Sequence, residues 1–250
     1  MDNRYNRNRI YISEVEQDII RNTRILLGGA GIGSIIAECA LRLGFENITI
    51  FDGDKVELSN LNRQNYIKSD IGRYKSECLT MRLRQINPKA KIKHYNVFID
   101  NNNIQETLSN IDIAINALDF KSEIPFVFDK LCSEKGIPVL HPYNFGWGAL
   151  LTIVKPGGYQ INEISSSYEG FEIKMAKFIA RYCTFWNLPY KWLDNVIEKY
   201  NNESEKLPTP QLSIASWIVA GYCANAMFDI ATGKHVNYFP KFYFSSLRSE

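Results

Sequence analysis

Apolar positions along the chain alternate between two rhythms. RILLG (24–28) is a short unbroken apolar run. Residues 31–43 then set Ile35, Ile36, Cys39, Ala40 and Leu43 at helical spacing. ITIFD (48–52) is a second run, and a polar loop leads to a helical pattern over 73–86 that ends at Asn87-Pro88. KIKHYNV (91–97) predicts a third strand, 102–109 a short helix, and IDIAIN (111–116) a fourth strand. A helix over 124–135 passes through Gly136 into IPVLH (137–141), a fifth strand. Ahead of all this, Ser13 with Glu16 three residues on forms a capping box for an N-terminal helix.

Strands alternating with helices predict a doubly wound, Rossmann-like α/β sheet, mainly parallel, with right-handed crossovers. The rhythm changes after residue 142. GALLTIV (148–154) reads as a strand stopped by Pro156, and residues 160–208 are aromatic-rich and helical in parts. Residues 212–230 form a long apolar helix, and the tail NYFPKFYFSSL (237–247) closes with a strand. The expected organisation is an N-terminal arm and nucleotide-binding core over 1–155. A mixed, helical extension over 156–250 packs on the same domain and serves as substrate surface, dimer contact or ordinary core.

Composition narrows the classes. The chain has 250 residues and a net charge of +2, so no broad basic field argues for nucleic acid. No apolar run is expected to be long enough to cross a bilayer, and the first residues lack an apolar signal core, so a cytoplasmic protein is expected. The five cysteines, Cys39, Cys78, Cys132, Cys183 and Cys223, include no C-x-x-C pair. Buried free thiols are expected, with no zinc.

The candidate chemistry begins at GGAGIGS (28–34), between a strand and a helix. Glycines let backbone amides approach a phosphate, and the helix N-terminus favours an anion. As G-x-G-x-x-G the run is imperfect. Anchoring on Gly28 and Gly33 puts Ala30 in the middle, whereas anchoring on Gly29 and Gly31 puts Ser34 last. Asp52 ends the next strand at the distance usual for a ribose-binding acid. The residues beyond it ask for a larger ligand. Arg63 offers a planar fork for phosphate oxygens, Lys75 a movable charge, and Asn60 and Gln64 amide donors. Lys75 opens a predicted helix, where the macrodipole disfavours a cation unless an anion lies nearby. A pyrophosphate is largely served by the glycine turn, but a triphosphate needs such additional groups. Asp119, just past the fourth strand, is a candidate for Mg²⁺ bridging phosphate oxygens, or else an acidic helix cap.

The run D-G-D-K-V-E-L-S-N-L-N-R-Q (52–64) resembles the signature of the ubiquitin-activating-enzyme-like adenylyltransferases, the ThiF/MoeB/HesA type. RYNRNRI (4–10) is similar to that family's N-terminal R-Y-x-R-Q segment, with Asn8 in place of Gln. GGAGIGS resembles its G-x-G-G-x-G turn, with Ala30 in place of a glycine, and GRYKSE (72–77) its G-x-x-K block. NALDF (116–120) resembles its C-T-D-N, keeping Asp119 and carrying Phe120 in place of Asn.

The resemblance implies that Gly28, Gly31 and Gly33 cradle ATP. Asp52 would hold its ribose, and Asp54 would order the loop or the metal region. Asn60, Arg63, Gln64 and Lys75 would grip the triphosphate, and Asp119 would bind Mg²⁺. It implies a homodimer in which Arg7 reaches the second subunit's site. Arg7, Arg63, Lys75 and Asp119 would carry the chemistry, attack of a carboxylate on the α-phosphorus. The substrate class implied is the C-terminus of a ubiquitin-fold carrier or a peptide, with a modified tRNA a further family substrate. Cys183 is the one thiol of the divergent segment, and Arg181 could lower its pKa. Packing against Phe178, Phe185 and Trp186 is the expected alternative. Two other functions compete. One is an NAD-linked oxidoreductase using His141 as acid or base near the crevice. The other is a non-catalytic nucleotide-binding scaffold.

Overall fold

The computed structural model describes residues 3–188, 190–205 and 207–248. A 3-10 turn at Asn3–Asn8 precedes helix α1 (Glu14–Asn22), and Ser13 and Glu16 form the expected capping box. Then follow β1 (Arg24–Gly28), α2 (Gly33–Leu43), β2 (Asn47–Phe51), α3 (Lys75–Ile86), β3 (Lys91–Tyr95), α4 (Ile104–Thr107), β4 (Ile113–Asn116) and α5 (Ile124–Glu134). β5 (Val139–Asn144) and β6 (Gly148–Val154) form a hairpin, α6 (Phe171–Phe185) and α7 (Lys191–Asn201) pack together, and α8 (Ser213–Ala231) leads to β7 (Phe242–Ser246).

The seven strands form one sheet in the order β3-β2-β1-β4-β5-β6-β7. The first five are parallel, while β6 and β7 join antiparallel. β1 is central, with Leu26 opposite Thr49 on one side and Ala114 on the other. Strand alternation splits the core in two. Ile25 and Leu27 join α1, α2, α3 and α8 on one face, and Leu26 joins α4, α5, α6 and α7 on the other.

The strand order reverses between β1 and β4. A crevice outside the carboxyl ends of these strands is where such folds take ligands. The glycine turn, Asp52 and Asp119 all lie at that edge.

Two sequence expectations change. β5 runs on through Pro142 to Asn144 instead of stopping at His141. It pairs with β4 only at Val139 and Leu140, so beyond them no neighbouring strand on that side needs the amide that proline lacks. The expectation about membrane-length segments is corrected by α8. It has 19 residues with a mean hydropathy of 1.3, which meets the length and composition needed to cross a bilayer. In the fold it packs on α2, β5, β6 and α1.

Candidate active site

The glycine turn divides its labour. Gly29 has φ +94°, and a Cβ there would lie 2.3 Å from the Ala117 carbonyl oxygen, so the close approach of β4 requires glycine. Gly33 is a packing position, since a Cβ there would meet the Leu27 side chain at 2.7 Å, whereas at Gly28 a Cβ would make ordinary contact with Ile115, Ile99 and Leu118 at 3.4 Å. Gly31 differs: a Cβ there would meet the Gln64 amide at 3.2 Å. Ala30, the departure from the glycine pattern, is fully buried in the core, so its methyl does not project into the crevice. α2 begins without a side-chain cap, and its Ser34 and Ile35 amides turn back to the Gly31 and Ile32 carbonyls, each at 3.2 Å.

Asp52 locks this turn to the loop that follows β2. One carboxylate oxygen accepts from the Ala30 amide at 2.6 Å and the other from the Asp54 amide at 2.7 Å. Burial raises its pKa, opposed by the Ala30 amide and then by the Lys75 charge. Tyr66 adds a second tie, its hydroxyl donating to the Ala30 carbonyl at 2.7 Å, with the Lys75 carbonyl 3.3 Å away.

Lys75 is the first residue of α3, not its third as the helical pattern over 73–86 predicts. The pairing of Lys55 with Tyr74 and the Val56 amide bonded to the Arg73 carbonyl keep the chain extended up to that point. Arg73 turns outward to Glu77, at 2.9 Å. Lys75 is buried, and its Nζ pairs with Asp54 at 3.0 Å, while its own amide donates to the Asp54 carbonyl. Asp54 thus orders the loop and holds the lysine at the carboxyl edge.

Asn60 is buried, and its Oδ1 accepts from the Glu57 amide at 3.0 Å, shaping the 3-10 turn Leu58–Asn60. Arg63 donates to the Ser59 carbonyl at 2.8 Å and to Gln211 Oε1 at 2.6 Å. Burial lowers its pKa, and the negative charge of Asp119 opposes that. Gln64 Oε1 is buried without a hydrogen-bond partner, directly beside Gly31. An orphaned buried acceptor costs about 1–3 kcal/mol, and a bound ligand or a water can satisfy it. The wall is pinned from behind by Glu38, which accepts from Arg82 at 2.5 Å, from Arg42 at 2.9 Å and from the Asn65 side chain.

The opposite wall is looser. Asp119 is exposed and pairs with Lys121 at 2.8 Å, so neither is a buried cap of α5, whose N-cap is Glu123. Sequence reading missed Glu172, in the first turn of α6. Burial raises its carboxyl, its own amide opposes that, and the nearby Asp119 charge raises it further. Its signal was an acid following Gly170 at a helix start, which is also an ordinary helix preference. Gln211, likewise missed, follows Pro210 and carried no sequence signal. Among the described residues, no group of three His, Cys, Asp or Glu side chains could hold a metal unaided. Asp119 could therefore offer Mg²⁺ one carboxylate, with phosphate oxygens and water completing the shell.

Three predicted groups lie elsewhere. The Arg7 turn is anchored at the other edge of the sheet. Tyr5 donates to Glu46 at 2.9 Å, and Asn8 donates to the Leu43 carbonyl at 2.9 Å. Arg7 is exposed there, so it does not enter its own chain's crevice. His141 is corrected as an acid/base candidate, being 1% exposed and 3.0 Å from Asp129 in the core. Asp129 also accepts from Asn116 at 2.8 Å. Cys183 is buried, and burial alone pushes its thiol up, so the expected help from Arg181 is absent.

The chain is 25% identical over 135 residues to the SAMP-activating enzyme E1 of Haloferax volcanii, covering 54% of this chain and 50% of that protein. It is 30% identical over 142 residues to the molybdopterin-synthase adenylyltransferase of Haemophilus influenzae, covering 55% and 58%. The chain thus spans about half the length of these relatives. In fold it is similar to E. coli MccB with ATP, with a TM-score of 0.71 at 17% identity over 99% of this chain and 72% of that one. A sequence model of the ThiF family matches residues 5–249, and the chain belongs to that family.

Proposed function

We propose that this protein is an ATP-dependent adenylyltransferase that activates the C-terminal carboxylate of a ubiquitin-fold carrier or peptide. The observation that carries the proposal is the convergence, at one sheet edge, of the uncapped α2 terminus, Gly31 with the unpartnered Gln64, Arg63 and the buried Lys75. These groups suit a polyphosphate. An NAD site has no use for Arg63, Gln64 and Lys75 together, and His141 is not placed to serve one.

The ATP ribose would rest beside Asp52, whose carboxylate already fixes the turn. The amides of the glycine turn and Gln64 would contact the phosphates nearest the turn. Lys75 could exchange its Asp54 partner for a phosphate oxygen. Arg63, held on its backbone side by Ser59, would present its remaining donors to the outer phosphates. A substrate carboxylate oxygen then attacks the α-phosphorus. The bond from that phosphorus to the bridging oxygen breaks, and pyrophosphate leaves with the electron pair. No protein nucleophile is required, and the burden falls on orientation and fixed positive charge. Mg²⁺ at Asp119, when bound, would neutralise charge on the phosphate oxygens.

Arg7, remote from its own crevice, is assigned to that of a second copy in a homodimer. The setting is assigned to the cytoplasm, where ATP is available and the free thiols stay reduced. Relatives named for activating SAMP and for adenylylating molybdopterin synthase support a protein substrate. One named as a tRNA threonylcarbamoyladenosine dehydratase, from Bacillus subtilis, keeps the modified-tRNA class in the test. Calorimetry with Mg-ATP and with NAD, followed by carboxylate-dependent exchange of labelled pyrophosphate into ATP, checks the proposal. Binding of ATP but not NAD, with exchange, is expected. NAD binding, ATP binding without exchange across a panel of peptides ending in glycine, or exchange driven by modified tRNA and by none of the peptides, overturns it.

A further inference from the structure

β4 and β5 separate at a buried polar cluster. Their ladder ends at Ile115–Leu140. The next residue of each strand, Asn116 and His141, turns to the same carboxylate, that of Asp129 in α5. Asn116 Nδ2 donates to Asp129 Oδ1 at 2.8 Å, and His141 Nε2 lies 3.0 Å from that oxygen and 2.9 Å from Oδ2. Asn116, Asp129 and His141 are 4%, 2% and 1% exposed, in the apolar layer that holds Phe128, Cys132 and Val139.

Stability does not explain this cluster. Taking a carboxylate out of water costs more than one hydrogen bond returns, and well-packed apolar side chains of similar volume commonly hold a fold as well or better. The geometry points to the crevice instead. Asn116 is the last residue of β4, three positions before Asp119. Its Nδ2 faces two acceptors, the Asp129 carboxylate and the Pro125 carbonyl, the latter at 2.9 Å. An amide held in this way can present only its oxygen on the other side. There Oδ1 accepts from the Leu118 amide at 3.4 Å, the side-chain bond to a backbone group two residues on that makes an Asx turn. The Ala117 amide is fixed too, donating to the Gly28 carbonyl at 2.8 Å. The backbone direction at 117–118 is thus set before the chain reaches Asp119, although the Asp119 carboxylate itself is exposed. With Asp129 gone, Nδ2 and Oδ1 could exchange places, and a donor would then face the Leu118 amide.

We infer that the His141–Asp129–Asn116 chain is a positioning network, which fixes the orientation of the Asn116 amide and through it the loop that presents Asp119 to the crevice. The meeting of Asp119 with Mg²⁺ on ATP phosphates rests on the adenylation reading above, but the ordering of the loop does not.

Two measurements on the full chain test the network. Amide hydrogen exchange reads the loop, and calorimetry reads the Mg²⁺ dependence of ATP binding. In wild type without nucleotide, the Leu118 amide is expected to be protected. Asp129→Leu combined with His141→Leu replaces the buried polar pair by apolar volume and is expected to fold, as judged by urea unfolding. Its Leu118 amide should exchange about tenfold faster, the effect of one lost hydrogen bond on local opening. The Mg²⁺ concentration for half-maximal ATP binding should rise about tenfold, the lower end of the loss when a group that orients a metal ligand is removed. Should the double variant not fold, Asn116→Ala removes the turn acceptor alone, with the same two shifts expected. His141→Gln keeps an N–H donor toward Asp129, and both readings should stay within about twofold of wild type. Val139→Ala opens a cavity on the same face of β5, two residues from His141, and should move neither reading.

An unprotected Leu118 amide in wild type overturns the inference. So does a folded double variant, or Asn116→Ala in its place, that leaves either reading at the wild-type value. Equal shifts in Val139→Ala would make the network ordinary packing and also overturn it. The two readings fail separately. A wild type that binds no Mg-ATP, with Leu118 protection lost in the double variant, removes adenylation and sustains the ordering of the loop.

Discussion

The two walls of the crevice differ in construction. The wall from Asp52 to Lys75 is tied at almost every polar side chain. Asp52 holds two amides, Asp54 holds Lys75, Asn60 shapes its turn, and Glu38 anchors the loop from behind. The wall after β4 carries Asp119 and Lys121, 63% and 82% exposed and paired with each other. The difference teaches where preorganisation lies. Fixed charges in a partly desolvated wall act without reorganising, whereas exposed groups must be ordered when the ligand arrives.

The comparison breaks first at Lys75. If the tied wall carries most of the stabilisation of the reacting phosphate, Lys75→Ala lowers the pyrophosphate-exchange rate by about 10²–10³, or about 3–4 kcal/mol. The fold should survive, because Asp54 is partly exposed and regains water. A loss of less than tenfold would show that Lys75 serves only to hold Asp54.

Asp119→Ala comes next. The exposed wall begins unordered, so a loss of about 10–100-fold is expected, with the apparent Mg²⁺ requirement shifted to higher concentration. An unchanged Mg²⁺ dependence would place the metal elsewhere. Mixing Arg7→Ala with Asp119→Ala, each impaired alone, should restore part of the exchange, since a hybrid dimer would hold one intact crevice. No recovery would remove Arg7 from the partner's site.

Glu38→Gln sharpens the comparison from behind the wall. Burial alone would raise this carboxyl, but hydrogen bonds from Arg82, Arg42 and Asn65 outweigh it and hold it below its ordinary range. Because the folded-state pKa is depressed, its stabilisation is present above the ordinary value of 4.5 and is lost as pH falls through the folded one. The arginines are partly exposed and screened, so a loss of about 1–2 kcal/mol at neutral pH is expected in urea unfolding. The wild-type minus variant difference should shrink below pH 4.5. A difference independent of pH would point to packing instead of charge.

The same contrast marks what the sequence could tell. Strands β1 and β6 and the capping box at Ser13 were legible because each rests on local periodicity or a local pair. The contents of the tied wall were legible because they crowd into one run ending in NLNRQ, followed closely by Lys75. What joins that wall to the rest is not local. Glu38 and Gln211 meet it from 27 and 148 positions away, at Asn65 and Arg63. Glu172 approaches Asp119 only once α6 has folded over β4. Ala30 read as a flaw in a glycine motif because the motif lists residue types, not directions. In the fold its methyl points into the core. Arg7 could be named from sequence, but only the anchoring of Tyr5 and Asn8 shows that it faces away from its own crevice.

The smallest effect expected is at Lys121, and it is the most direct probe of the loose wall. The hydrogen bond and charge of Asp119 raise the Lys121 pKa. The pair is exposed, so Lys121→Ala should leave stability within about 0.5 kcal/mol. If Asp119 holds the metal as proposed, the effect on Mg²⁺ has a definite sign, because Lys121 would compete for the same carboxylate. Removing it should lower the Mg²⁺ concentration that half-saturates exchange by about twofold, and more at low ionic strength, where the pair is least screened. A rise in that concentration would mean that Lys121 orders Asp119 for the metal, and the second wall would then be prebuilt like the first.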